Sequence, residues 1–390
     1  MRERFKDWVE NRHDRVKQWK TENHKKSFGY FCCVAPEELI HAAGMLPMKV
    51  TGSSDSIEVV DKHVVHYACP YARSILDLAG RGVYDYLDGV LVCNTCDILS
   101  RCGYYWRILA PREKPTVLGV ETTPYVLYIN HPEKISGRGV HDYLKAEYRI
   151  CKQQLEREQR FIITDEKLSE TIEVYNEHYD LMEQLHAFRR KNTSVVSGSE
   201  AFEVEFSSLL MPKEEHNRLM KSYLDELSQR QPPTVEPVRL YLSGGGVDQF
   251  TYQIYSIIEE CGGQVVAEDI GAGKSYFHRK IDTDKPPLDA IVDHRLDVHC
   301  PHTMSADYYP HKNDERFGFI QKTLEGHKLD GAVFFVPLYC ECRNTEYPRL
   351  KENFKDIYNV PTLYLDSDYT QGGLDETSAK IEAFVEMIRG

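Results

Sequence analysis

The chain lacks a long hydrophobic run. Its longest nearly unbroken apolar stretch, Gly331 to Tyr339 (GAVFFVPLY), is about half of the roughly 18 residues that a membrane span requires, so no membrane role is expected. It also lacks an excess of positive charge, since 48 Lys and Arg stand against 61 Asp and Glu for a formal net charge of −13. No general attraction to nucleic acid or anionic lipid is available, and any anionic ligand needs a local pocket. The first residues, MRERFKDWVENRHDRVKQWK, have neither an apolar core nor a small-residue cleavage site. They predict an amphipathic helix carrying Phe5, Trp8, Val16 and Trp19 rather than an export signal. Disulfides are not expected either: 11 cysteines, an odd number in a large chain without an export signal, predict thiols in a reducing cytoplasm, some of them metal-bound.

What is present is ordinary globular material. With 41% hydrophobic and 28% charged residues over 390 positions, the chain can build two or three cores at about 150 residues each. From Ser27 to Val120, short β-rich runs alternate with helical ones, as in SFGYFCCV, PEELIHAAG and LPMKVTG. That order predicts a parallel sheet. A long helix is predicted from Thr164 to Arg190, because Leu168, Ile172, Tyr175, Tyr179 and Met182 recur at helical spacing behind a cap of Thr164, Asp165 and Glu166. A second helix opens near Pro212 and ends before the proline-rich QRQPPTVEPV, the clearest boundary in the chain.

Beyond that boundary a second α/β unit follows, with a closing helix from about Asp375 to Ile388. The expected architecture is α/β, with an N-terminal helix (1–22), an α/β domain (23–162), a helical insertion (163–235) and a second α/β domain (236–390). Two segments rhyme: YLDGVLVCNTCD at 86–97 and KLDGAVFFVPLYCE at 328–341. Each joins Leu-Asp-Gly to a buried strand and then to a cysteine followed by an acid.

In open parallel sheets, ligands gather beyond the carboxyl ends of the strands. Cys96 and Cys340 both fall there, one from each α/β unit, and a cleft between the units would let both reach one object. Cys69, in HYACPYARS, opens the helix before the Cys96 strand, where a helix N-terminus is expected to favour thiolate. Three reachable thiolates suit an iron–sulfur cluster with one open iron, whereas a structural zinc requires a fourth ligand. Fourth candidates are abundant: Cys93 forms a CxxC with Cys96, Cys342 a CxC with Cys340, and Cys32, Cys33, Cys102 and Cys300 remain. Spacing alone leaves metal binding open against the plainer reading of buried core thiols. The plainer reading is preferred for Cys151, beside Leu144, Tyr148 and Leu155, and for Cys261, beside Ile254, Ile257 and Ile258.

Two glycine-rich stretches carry less. SGGGVDQ (243–249) lacks the third glycine of a dinucleotide fingerprint and reads as a tight turn. GAGKS (271–275) ends like a phosphate loop, but Glu268 stands where that loop needs its first glycine, so no ATPase is expected in this chain. His63, His66, His299 and His302 lie near cysteines and receive no role.

Four segments together, APEELIHAAGMLP (35–47), CPYARSILDLAGRGVYDYLDGVLVCNTCD (69–97), MPKEEHNRLM (211–220) and FFVPLYCE (334–341), resemble the benzoyl-CoA reductase and 2-hydroxyacyl-CoA dehydratase family, in the same order over nearly the whole chain. The resemblance implies two flavodoxin-like domains with a helical insertion. It implies a [4Fe-4S] cluster on Cys69, Cys96 and Cys340, a second homologous cluster-binding subunit and a separate ATP-hydrolysing iron–sulfur activator. The substrate class implied is an acyl-CoA thioester, with reduction of an aromatic acyl-CoA of the benzoyl-CoA type favoured over 2-hydroxyacyl-CoA dehydration. Cys32 also matches a cysteine of the family's double-cubane reductases, which would make the cofactor an [8Fe-9S] cluster and the substrate a small molecule. From a different class, a zinc-stabilised, non-catalytic scaffold would use the CxxC.

Overall fold

The computed structural model describes residues 1–110, 116–117, 120–121, 125–132, 135–272, 276–298 and 315–390. Two four-stranded, all-parallel sheets organise them. The first contains β1 (Ser27–Tyr30), β2 (Leu46–Lys49) and β3 (Gly89–Cys93). A short antiparallel pair, β4 (Thr116–Val117) and β5 (Val120–Glu121), precedes its last strand, β6 (Val126–Ile129). The second contains β7 (Val238–Gly244), β8 (Gly263–Asp269), β9 (Gly331–Pro337) and β10 (Thr362–Ser367). The orders are β2-β1-β3-β6 and β10-β9-β7-β8. In the first sheet this is 2-1-3-4 in its own strand count, the flavodoxin-like order, and in the second the same neighbours flank the first strand.

β3 and β9 are buried along their whole length, which is why both read as continuous apolar runs instead of alternating ones. They also occupy the same place, third in chain order and beside the first strand of each sheet. The rhyming Leu-Asp-Gly has a matching physical task. Asp88 accepts a hydrogen bond from the Ser27 backbone N–H at 2.9 Å and donates its own N–H to the Ser27 carbonyl at 2.9 Å. Asp330 does the same with Arg239, at 2.9 and 2.8 Å. The aspartate thus clamps the start of the third strand to the start of the first.

The long helix runs from Asp165 to Arg190, with Thr164 capping it by accepting the Lys167 N–H at 3.2 Å. Leu168, Ile172, Tyr175, Tyr179 and Met182 are all buried, as their spacing predicts. Pro212 precedes a helix from Lys213 to Gln229. Two boundaries differ from expectation. The N-terminal segment is two helices, Arg2–Glu10 and Arg12–Asn23, because the buried Arg12 side chain donates to the Val9 and Gly52 carbonyls and bends the chain at Asn11. The closing helix begins at Gln371 rather than Asp375, because the Thr370 hydroxyl caps it by accepting the Gly373 N–H. No helix among the described residues is long and apolar enough to cross a membrane.

The helical segment encloses His178 and His216. The His216 Nε2–H donates to the Val204 carbonyl at 3.0 Å, and burial, reinforced by the nearby Lys213 charge, pushes its pKa down to about 3 despite that bond. An unfolded histidine takes up its proton near pH 6.5 and the folded one does not until about 3. Stability therefore falls as pH drops through that interval, by up to about 1.4 kcal/mol per pH unit for this one group. Urea unfolding at pH 7 and pH 5 checks this: His216→Gln is expected to flatten the slope by about one proton. An unchanged slope would assign the acid sensitivity elsewhere.

Candidate metal centre

The carboxyl ends of the two sheets face a common cavity of about 390 Å³. Turns following β1, β3, β7 and β9 wall it, together with the ends of β2 and β8. It therefore sits at the switch point between first and third strands of both sheets at once, where side chains from distant parts of the chain converge.

Cys69, Cys96 and Cys340 all line this cavity. Each occupies the N-cap position of a helix, respectively Pro70–Gly80, Asp97–Leu109 and Glu341–Asn353. Three positive helix ends thus converge on one place, an arrangement that stabilises negative charge there. Cys340 owes its position to Tyr339, whose left-handed backbone (φ 61°) turns the chain between β9 and the helix. A non-glycine residue in that region is strained, and such strain gathers at functional sites.

The Cys69 thiol, however, is pushed well above the ordinary thiol pKa, contrary to the expected thiolate. Its hydrogen bond with Cys340 is the largest cause, followed by burial and the nearby Cys340 and Cys96, while the Ala72 N–H opposes the shift. Three thiols packed in one buried place cannot all ionise against each other, and a cationic partner would reverse that balance.

The other cysteines divide. Cys32 and Cys33 follow β1 on the cavity wall, buried, with sulfurs 3.8 Å apart, and Cys342 lines the cavity as well. Cys93 and Cys102 are buried outside the lining. The CxxC therefore does not deliver both sulfurs to one site, because β3 ends at Cys93 and the chain has turned before Cys96. Cys151 lies in the core with Leu144, Tyr148 and Leu155, and Cys261 is half-buried at a helix end. Cys300, His299 and His302 fall outside the described residues.

The glycine-rich SGGGVDQ is a turn forced by close packing. A Cβ on Gly244 (φ 105°) would lie 1.8 Å from the Phe335 carbonyl oxygen, and one on Gly246 would lie 2.3 Å from the Tyr71 ring. Glu268, which breaks the phosphate-loop pattern, belongs to a buried group with His186 and Glu205 whose ligand atoms lie within 4.8 Å of one another. Local sequence carries no sign of this group. Arg189 donates to Glu205 at 3.1 Å and to Glu268 at 2.8 Å, so a guanidinium already supplies the positive charge a metal ion would bring. Gly273, Lys274 and Ser275 of the GAGKS stretch lie outside the described residues. Next along β8, Asp269 lines the cavity. Burial raises its carboxyl, but Arg316 and Arg343 outweigh that and hold it below the usual range.

Residues 32–388 match the family model described as 2-hydroxyglutaryl-CoA dehydratase, D-component. The chain is 26% identical to the (R)-phenyllactyl-CoA dehydratase beta subunit of Clostridium sporogenes, covering 98% of this chain and 97% of that one. It is 24% identical to a benzoyl-CoA reductase subunit of Thauera aromatica, over 96% and 94% of the two chains. It is 22% identical to the beta subunit of (R)-2-hydroxyglutaryl-CoA dehydratase of Acidaminococcus fermentans, over 93% of each. With parallel flavodoxin-like sheets, cysteines at the shared cavity and a family match over most of its length, this chain belongs to the 2-hydroxyglutaryl-CoA dehydratase D-component family, which takes in subunits of CoA-thioester dehydratases and of benzoyl-CoA reductase.

Proposed function

We propose that this chain is the cluster-binding subunit of a CoA-thioester enzyme, with Cys69, Cys96 and Cys340 holding a [4Fe-4S] cluster. The observation that carries the reading is the convergence of three helix-capping cysteines on one cavity. Soft thiolates in a partly enclosed, positively polarised site are what an iron–sulfur cluster requires. Bound there, the cluster would supply electrons one at a time at low potential.

The chain's own residues would do the rest. Phe31, Val64, Ile98, Leu99, Val247 and Pro337 keep the cavity wall apolar, which excludes the water that would quench a thioester radical anion. Val65, Tyr67 and Tyr339 rim the cavity and are 46%, 62% and 52% exposed, a surface suited to a second homologous subunit. Two cluster-bearing subunits and a separate ATP-hydrolysing activator complete the proposed system.

Dehydration of a 2-hydroxyacyl-CoA is the favoured reaction, supported by the dehydratase family description and the 26% likeness to a phenyllactyl-CoA dehydratase subunit. Ring reduction of an aromatic acyl-CoA is the second reading, supported by the 24% likeness to a benzoyl-CoA reductase subunit. Anaerobic analysis is expected to give about four irons and four sulfides per chain. About eight irons would instead indicate a double cubane that recruits Cys32, and zinc without sulfide would overturn the cluster. Turnover of the complete complex with activator, ATP and a strong reductant, offered aryl and alkyl 2-hydroxyacyl-CoA esters beside benzoyl-CoA, separates the two reactions. A dienoyl product with no enoyl product would select the reductase.

A further inference from the structure

Lys49 ends β2, and its side chain, 4% exposed, lies in the cavity wall that also carries Phe31, Cys32 and Cys33. An ammonium has three N–H donors. Among the described residues this one makes a single hydrogen bond, to the Phe31 carbonyl at 3.4 Å, and stands 5.6 Å from the centre of the Tyr30 ring. No carboxylate among the described residues reaches ion-pair distance of it.

The other enclosed cations are better satisfied. Lys213 pairs with Glu37, Arg189 with Glu205 and Glu268, Arg295 with Glu38, and Arg316 and Arg343 with Asp269 and Glu346. Arg239 is held by four backbone carbonyls and Arg12 by two. A buried charge with a single long contact is strongly unfavourable unless something beside it supplies the opposite sign. At Lys49 the open side is the cavity.

We propose that Lys49 is the fixed counter-charge of the cavity, a positioning residue that stabilises an anionic, thiolate-ligated iron–sulfur group there and raises its reduction potential. The proposal rests on the cluster reading above. A cluster gains one negative charge when an external low-potential donor gives it one electron, so a fixed cation nearby favours the reduced form over the oxidised one. Tyr30, Cys93, Cys32 and Cys33 are polar groups near it, and Arg295, whose charge also reaches Cys93, is already paired with Glu38.

The test uses the full chain, reconstituted anaerobically with iron and sulfide, as wild type, Lys49→Met and Lys49→Arg. Dye-mediated titration followed by electron paramagnetic resonance reads the midpoint potential, and thermal melting reads the empty and loaded forms. Lys49→Met is expected to keep its iron while its equilibrium for one-electron reduction falls about tenfold, ~59 mV towards more negative potential. Lys49→Arg should stay near wild type. Empty Lys49→Met should melt no lower than empty wild type, since an uncompensated buried charge has gone, yet gain less on loading. Lys49→Gln reads the same shift if the methionine variant does not fold. An unchanged potential in loaded Lys49→Met or Lys49→Gln overturns this proposal alone. A wild-type chain that takes up neither iron nor sulfide overturns the cluster reading, and this inference with it.

Discussion

Replacing Cys69, Cys96 or Cys340 by serine, one at a time, is expected to strip the chain of iron and lower turnover of the complete enzyme at least about 100-fold. Loss of a partner one shell further out already costs about 10 to 100-fold in metal affinity or activity, and a direct thiolate contributes more. The serine hydroxyl keeps the size of the side chain but holds its proton at neutral pH and is a hard donor, so it replaces neither the charge nor the softness. Because each cysteine caps a helix, and serine is a favoured N-cap, the substitution should leave the helices and the melting behaviour of the empty protein close to unchanged. Cys151→Ser and Cys93→Ser provide the contrast, since both residues are buried outside the cavity lining. They should keep iron and lose stability. Full iron retention in all three cavity variants would remove these cysteines as ligands.

Arg295→Met is expected to cost about 3–5 kcal/mol of stability, the usual consequence of stranding one partner of a buried ion pair. Both partners are fully enclosed: the Arg295 guanidinium donates to Glu38 at 2.5 and 3.3 Å, and also to the Cys33 carbonyl at 2.9 Å on the cavity wall. Burial raises the Glu38 carboxyl above its ordinary pKa even with Arg295 beside it. Without that cation it rises further. The folded state of the variant then binds the Glu38 proton more tightly than the unfolded state does, so the loss is smallest below about pH 4.3 and grows as pH rises towards the folded value. Urea unfolding at pH 4 and pH 7 measures this. The double variant Glu38→Gln, Arg295→Met removes both charges and should recover most of the loss. Additive losses in the double variant would show that the pair is not coupled.

Much of the architecture was legible in the sequence because its causes are local. GVLVC and GAVFFVP are continuous apolar runs because strands covered on both faces have no solvent side. Thr164 begins its helix where its hydroxyl can take the Lys167 N–H three residues on. The Leu-Asp-Gly rhyme is readable because the same clamp, Asp88 on Ser27 and Asp330 on Arg239, recurs in both sheets. The placing of Cys96 and Cys340 past strand ends follows from the same grammar. Where a contact spans the chain, short-range pattern carries no trace of it. Only the tertiary structure put Cys33, Cys342 and Lys49 on the cavity wall and left Cys93 off it. It alone raised the Cys69 thiol where a helix end by itself would lower it, since the opposing sulfur of Cys340 arrives from the far end of the chain. Secondary structure answers to neighbours a few residues away, whereas burial and charge answer to whatever folding brings within a few ångströms, from any distance along the sequence.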